Sequence, residues 1–238
     1  MSDIHDQVAD YYRRAVDAGR DEQTPVDDPR WGTSQYADGV LDEVPDAATG
    51  LSMGCGNPHA MADLAPGETV LDLGSGGGID VILSAKRVGR EGRAYGVDFL
   101  DEMLETARAN AAEAGVDNVE FLAGTIEDVP LPEDSVDVVI SNCVINLAPD
   151  KAPVFAEMAR VLRPGGRVAV SDVIRDDGTA PVDPVDGQAW AECGAGGLLA
   201  DEYRAMLEAA GFEQVSIEAT HQTGEGFHAA TVRAVRSG

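Results

Sequence analysis

The chain has 238 residues, enough for one well-filled α/β domain with a large core. Its 43 acidic residues outnumber 17 basic ones, giving a formal net charge of -26, and Lys86 and Lys151 are the lysines. That balance sets nucleic acid aside as a partner, and because the acids are spread along the whole chain it reads as a halophilic surface, adapted to salt that screens self-repulsion.

In chain order, the start Met1-Ser2-Asp3-Ile4-His5-Asp6 has neither a basic nor an apolar leader region, and no run of about 18 apolar residues follows. A cytoplasmic protein without a membrane partner is expected. Residues 1–66 begin with a helical pattern over Val8–Ala18 and continue as a polar passage through Trp31 and Tyr36, read as a helical cap and lid loop of the same domain. From 67 to 238 strand, turn and helix alternate, which predicts an α/β fold with a mostly parallel sheet covered on both faces. Seven strands are expected at Thr69–Leu73, Arg93–Val97, Val119–Leu122, Val136–Ser141, Arg167–Asp172, Gln214–Ala219 and Phe227–Val232. Helices are expected near Ile79–Val88, Asp101–Ala114, Lys151–Leu162 and Ala200–Ala210. Arg163-Pro164-Gly165-Gly166-Arg167 reads as the turn into the fifth strand.

The stretch Glu68 to Asp80 joins an apolar strand to a glycine-rich turn and a helix start. Gly74, Gly76 and Gly78 permit a tight turn and close approach of a ligand to the backbone, and the following helix offers free N–H groups. A dinucleotide fingerprint fails, because Ile79 stands where its last glycine belongs. Asp72, two residues before the glycines, suits a cofactor with an ammonium group. Asp98 ends the second strand, where a carboxylate can accept both hydroxyls of a ribose.

This arrangement resembles the class I S-adenosylmethionine-dependent methyltransferases, whose Rossmann-like fold has a seven-stranded sheet. The resemblance implies that Asp72 and the loop Gly74, Ser75, Gly76 face the methionine part of S-adenosylmethionine, Asp98 the ribose and Met103 the adenine face. In Gly124-Thr125-Ile126-Glu127-Asp128, Ile126 and Glu127 match the residues at the adenine edge, and Asn142 joins the cofactor set. Tyr11 and Tyr12 either close over the methionine end or pack the cap.

The fold leaves the acceptor open, and the cysteines narrow it. Cys143 follows the fourth strand, where open α/β sheets place ligands; Cys55 lies in a turn before the first strand and Cys193 after the fifth. Odd in number and far apart, they predict free thiols rather than structural disulfides. Three thiols at one sheet edge suit a soft centre such as trivalent arsenic, whose lone pair attacks a sulfonium methyl without a general base. Small buried hydrophobes, or a zinc set completed by His59 in an expected surface turn, are the alternatives. His221 and His228 read as surface or core residues.

At Leu51-Ser52-Met53-Gly54-Cys55-Gly56-Asn57-Pro58, Ser141-Asn142-Cys143-Val144-Ile145-Asn146-Leu147 and Cys193-Gly194-Ala195-Gly196 the chain looks like an arsenite methyltransferase. That resemblance implies As(III) on Cys143 and Cys193, with Cys55 completing the trithiolate or exchanging thiols. It also implies arsenite or methylarsenite as substrate, S-adenosylhomocysteine as product and an external thiol reductant. The chain departs from many relatives in lacking a cysteine in residues 1–54, which speaks against an intramolecular disulfide relay and leaves the number of methyl groups open, and in stopping soon after its last strand, from which a monomer or weak dimer is expected. A methyltransferase acting on a carbon or oxygen of a quinone-like molecule, and a non-catalytic thiol-based arsenical sensor, are the competing functions.

Overall fold

The computed structural model describes residues 4–17, 28–180 and 196–238. Among the described residues eight strands form one sheet: β1 Thr69–Leu73, β2 Arg93–Asp98, β3 Val119–Ala123, β4 Val136–Asn142, β5 Leu162–Arg175, β6 Leu198–Leu199, β7 Phe212–Gly224 and β8 Phe227–Arg236. Their order is β3-β2-β1-β4-β5-β8-β7, with the two-residue β6 beside β5. The first five are parallel neighbours, whereas β8 runs antiparallel to both β5 and β7. This matches the expected mostly parallel sheet of seven strands, with β6 as a short addition.

Alternation along β1 covers both faces. Leu71 and Leu73 pack in a cluster with Val139, Phe155, Met158 and Tyr203, while Val70 packs with Val88, Val138 and Ile140. Side chains this buried contribute about 1.5–3 kcal/mol each, so the central strands carry much of the stability. Helices α1 Ile4–Asp17, α2 Asp46–Thr49, α3 Pro58–Met61, α4 Ile79–Val88, α5 Asp101–Glu113, α6 Ala152–Val161 and α7 Ala200–Ala209 surround the sheet. In α4 only Lys86 and Arg87 of the last turn are exposed or partly so, which suits the negative end of the helix dipole; Gly89 ends it.

The fifth strand differs from its expected bounds. It begins at Leu162, which pairs with Val136, so the Arg163-Pro164-Gly165-Gly166-Arg167 turn becomes an irregularity inside the strand rather than its prelude. A pairing between residues distant in sequence decides that start, and local turn chemistry cannot register it. Before β1, Tyr36, Val44 and Ala48 are buried against Ile79, Ile82 and Leu83 of α4. Arg30 donates to the carbonyl of Thr223 at 2.8 Å, tying the same segment to the β7–β8 hairpin.

Candidate active site

On leaving β1 the chain goes first to β2 on one side and later to β4 on the other, so a crevice opens at the carboxyl ends of β1 and β4. Leu73 pairs with Ser141, whose Oγ donates to the Leu73 carbonyl at 3.0 Å, and the glycine loop and the Asn142-Cys143 turn therefore emerge side by side. One pocket occupies this crevice. Asp72, Gly74, Ser75, Gly76, Asp98, Met103, Ile126, Glu127, Asn142 and Cys143 all line it. The expected cofactor residues are thus brought together with one of the three cysteines.

The loop owes its course to glycine. Gly74, Gly76 and Gly78 have φ of 73°, 49° and 86°, and a side chain on Gly74 would overlap Val144. Backbone N–H groups of Gly74 and Ser75 both bond to the Val97 carbonyl, at 2.9 and 3.0 Å. The Gly76 N–H donates to Asp98 Oδ2 at 3.0 Å, and Leu100 N–H donates to Oδ1 at the same distance. The Asp98 carboxylate is therefore held at a fixed angle at the end of β2, with burial raising its pKa against these hydrogen bonds. Phe99, the neighbouring lining residue, is 45% exposed.

Acids dominate the polar wall. Asp72, Asp80, Asp98 and Glu127 line the pocket, and no Lys, Arg or His does so among the described residues. Burial pushes Asp72 well above the usual carboxylate range, and the neighbouring charges of Asp80 and Asp98 push it further. Asp80, in the first turn of α4, is raised to about 6 by burial, against hydrogen bonds that favour its ionised form. One is donated by Tyr36 Oη to Asp80 Oδ2 at 2.9 Å. The other comes from Asn142 Nδ2 to the same oxygen at 3.4 Å. The Ser75 hydroxyl and Asp80 Oδ1 are buried without a hydrogen-bond partner. Such a set of acceptors fits a cationic ligand bearing hydroxyl groups, as S-adenosylmethionine is.

Asn142 also clamps the loop that carries Cys55. Its Nδ2 donates to the Gly56 carbonyl at 2.9 Å, and its Oδ1 accepts from Gly56 N–H at 3.2 Å. Gly54 and Gly56 allow this approach, since a Cβ on either would overlap Asn142 or Ser171. Cys143 takes a left-handed φ of 60° while its N–H donates to the Ser171 carbonyl at 2.8 Å. That conformation costs a non-glycine residue about 1–2 kcal/mol and belongs to sites rather than to regular strands.

The two sulfurs meet. Cys55 and Cys143 form a disulfide, with Cα atoms 5.9 Å apart and a sequence separation of 88. The expectation of free thiols is corrected for this pair: separation along the chain argued against bonding, but the Asn142 clamp closes that distance in space. Cys55 Sγ also lies 3.6 Å from Ser171 Oγ. Cys193 lies outside the described residues.

Tyr12 lines the pocket, and Tyr11 packs edge-on against it with ring centroids 5.4 Å apart. His59 is buried rather than on a surface turn, because Asn57 caps the one-turn α3 and pairs with His59 Nδ1 at 2.9 Å; burial lowers its pKa to about 4. His221 Nε2 lies 3.0 Å from the Arg30 carbonyl, and His228 Nδ1 pairs with Asp176 at 2.8 Å, both away from the pocket. Sequence reasoning missed Asp80 and Tyr36. The available signal was an acid set inside the apolar run Ile79-Asp80-Val81-Ile82-Leu83.

A family profile described as a methyltransferase domain matches residues 64–211. The chain is 50% identical over 189 residues to an arsenite methyltransferase of Halobacterium salinarum, covering 77% of this chain and 48% of that protein. It is 35% identical over 216 residues to an arsenite methyltransferase of Aquipseudomonas alcaligenes, covering 88% and 62%. The chain thus spans about half to three fifths of the length of these curated relatives. Among solved structures, an arsenic(III) S-adenosylmethionine methyltransferase from Chlamydomonas reinhardtii superposes with a TM-score of 0.71 at 35% identity, covering 83% of this chain and 72% of that one.

Proposed function

We propose, since the chain belongs to the family of methyltransferase domains, that it transfers methyl groups from S-adenosylmethionine to trivalent arsenic held by cysteine thiolates. One observation carries the reading: Cys143, paired with Cys55, stands on the wall of the pocket whose floor is the Gly74-Ser75-Gly76 loop. When bound, S-adenosylmethionine supplies an electrophilic methyl on its sulfonium. Asp98 is suited to orient the ribose, Met103, Ile126 and Glu127 to hold the adenine, and Asp72 with the glycine loop to hold the methionine end. Asn142 acts on the acceptor side as well, because its clamp keeps Cys55 beside Cys143.

The electron balance explains why a sulfur pair suits this site. The arsenic lone pair forms the new As–C bond as the S–CH3 bond breaks, so arsenic loses two electrons in formal count. Two thiolates return them and end as a disulfide, the form in which Cys55 and Cys143 stand here. An external thiol reductant then restores the pair. Cys193 is proposed as the further As(III) ligand. No general base is required, in keeping with a pocket wall without His or Lys among the described residues. The proposed setting is a reducing, salt-rich cytoplasm and a monomer or weak dimer.

The test incubates reduced protein with arsenite, methyl-labelled S-adenosylmethionine and glutathione in high salt. Labelled methylarsenicals are expected, and Cys143→Ser should abolish them while leaving the dissociation constant for the cofactor within about twofold, since no cofactor contact is lost. Absence of any labelled arsenical removes the reading. Label passing instead to a quinone-like acceptor would assign the domain to carbon or oxygen methylation, and arsenite binding without turnover would make it a sensor.

A further inference from the structure

We propose that Ser171 is a catalytic residue of the step that reopens the Cys55–Cys143 disulfide: an external thiol enters through the pocket and attacks Cys143, and Cys55 leaves as a thiolate hydrogen-bonded by the Ser171 hydroxyl. This deepens the reading above and rests on its sulfur pair, not on its cofactor. The two sulfurs are not equivalent. Cys143 lines the pocket, whereas Cys55 and Ser171 are buried and stand outside its lining. Which sulfur of a disulfide is attacked follows access, and a small thiol in the pocket meets Cys143 first.

Ser171, on β5, touches both halves of the pair. Its carbonyl accepts the Cys143 N–H at 2.8 Å, while its Oγ stands 3.6 Å from Cys55 Sγ. A disulfide sulfur carries no hydrogen, so the hydroxyl is the donor. Two features fix it there. Ser171 pairs with Asn142 in the sheet, which sets its side chain on a strand rather than a loop. On the facing turn Gly56 leaves the room, since a Cβ at that position would fall 2.0 Å from Ser171 Oγ.

The surroundings make the donor matter. Val8, Leu147, Val173 and Ala229 pack around the two cysteines, with Tyr12, Trp31 and Phe227 at the margin. Apolar surroundings disfavour a thiolate, and a fixed hydroxyl offsets this at the sulfur where negative charge develops. The exchange balances without another reactant. The incoming thiolate bonds to Cys143 Sγ as the bond to Cys55 breaks, and that electron pair stays on Cys55. A second external thiol attacks the mixed disulfide, frees Cys143 and departs as the oxidised external disulfide. Two thiols thus give two electrons and two protons to the pair, and Ser171 keeps its own proton throughout.

The test uses the oxidised whole chain carrying Cys193→Ser, so that no third cysteine reshuffles the pair. It is treated with 2-mercaptoethanol, quenched in acid and mapped by peptide mass. The adduct is expected on Cys143, with Cys55 free. An adduct on Cys55, or on both equally, overturns the order of attack, as does an oxidised protein in which the two cysteines are not joined. Adding Ser171→Ala should slow opening about three- to tenfold, part of one charge-assisted hydrogen bond. Opening that is unchanged or faster, as when a merely structural hydroxyl is lost and the pair loosens, removes Ser171 from the step. The mapping needs no Ser171 variant and decides the order of attack even where Ser171→Ala misfolds. Neither measurement involves arsenic. Labelled methylarsenicals together with an adduct on Cys55 leave the function standing and this inference fallen; an adduct on Cys143 without labelled arsenicals does the opposite.

Discussion

Asp72, Asp80 and Asp98 are buried acids whose pKa values are raised by desolvation, which makes them a liability to the unliganded fold at neutral pH. The sign is opposite to that of a salt-bridged acid. Each contributes its full stability below the unfolded pKa, and loses it as pH rises through the raised folded value. A cation in the pocket reverses this by favouring the ionised forms. Asp80 is faced by Tyr36 from the segment before β1, by the neutral amide of Asn142 on β4 and by Asp72 on β1, whose own carboxyl is also raised by Asp98. Affinity for S-adenosylhomocysteine should therefore weaken as pH falls through about 6, approaching tenfold per pH unit for one coupled proton, while that for 5′-methylthioadenosine, which lacks the amino-acid portion, stays flat. Calorimetric titrations from pH 5 to 8 check it, and parallel curves for the two ligands would remove the acids from the binding step.

At the scale of elements, the site depends on two turns pressed together: the one carrying Gly54, Cys55 and Gly56, and the end of β4. Gly54→Ala would drive a Cβ into Asn142, whose amide already bonds Gly56 and reaches Asp80. We expect a loss of about 1–3 kcal/mol in denaturant unfolding, the usual scale of overpacking, together with slower closure of the Cys55–Cys143 disulfide after reduction. Unchanged stability and closure would show that the clamp is dispensable. The same region marks where sequence stops being informative. Thr69–Leu73 and Ile79–Val88 were legible to the residue because an apolar strand, a glycine turn and an apolar helix are local signals. The Cys55–Cys143 pairing, the Tyr36–Asp80 bond and the start of β5 at Leu162 join residues far apart in the chain, so no window of sequence contains both partners.

For the whole molecule, a formal charge of -26 on 238 residues means that self-repulsion is a term in every folding equilibrium. Ion pairs such as Arg167–Glu68, at 2.7 Å, offset it locally, but 17 basic residues cannot match 43 acidic ones. The melting temperature should rise markedly from dilute buffer to molar KCl as the Debye length shrinks from tens of ångströms to about 3 Å. A melting curve indifferent to KCl would sink the halophilic reading. The absence of a basic side chain from the pocket wall, among the described residues, has a consequence for turnover. S-adenosylmethionine, with its sulfonium, arrives carrying one more positive charge than S-adenosylhomocysteine takes away. On the proposed reaction a wall of carboxylates attracts the donor more strongly than the spent form, so S-adenosylhomocysteine is expected to bind more weakly than S-adenosylmethionine.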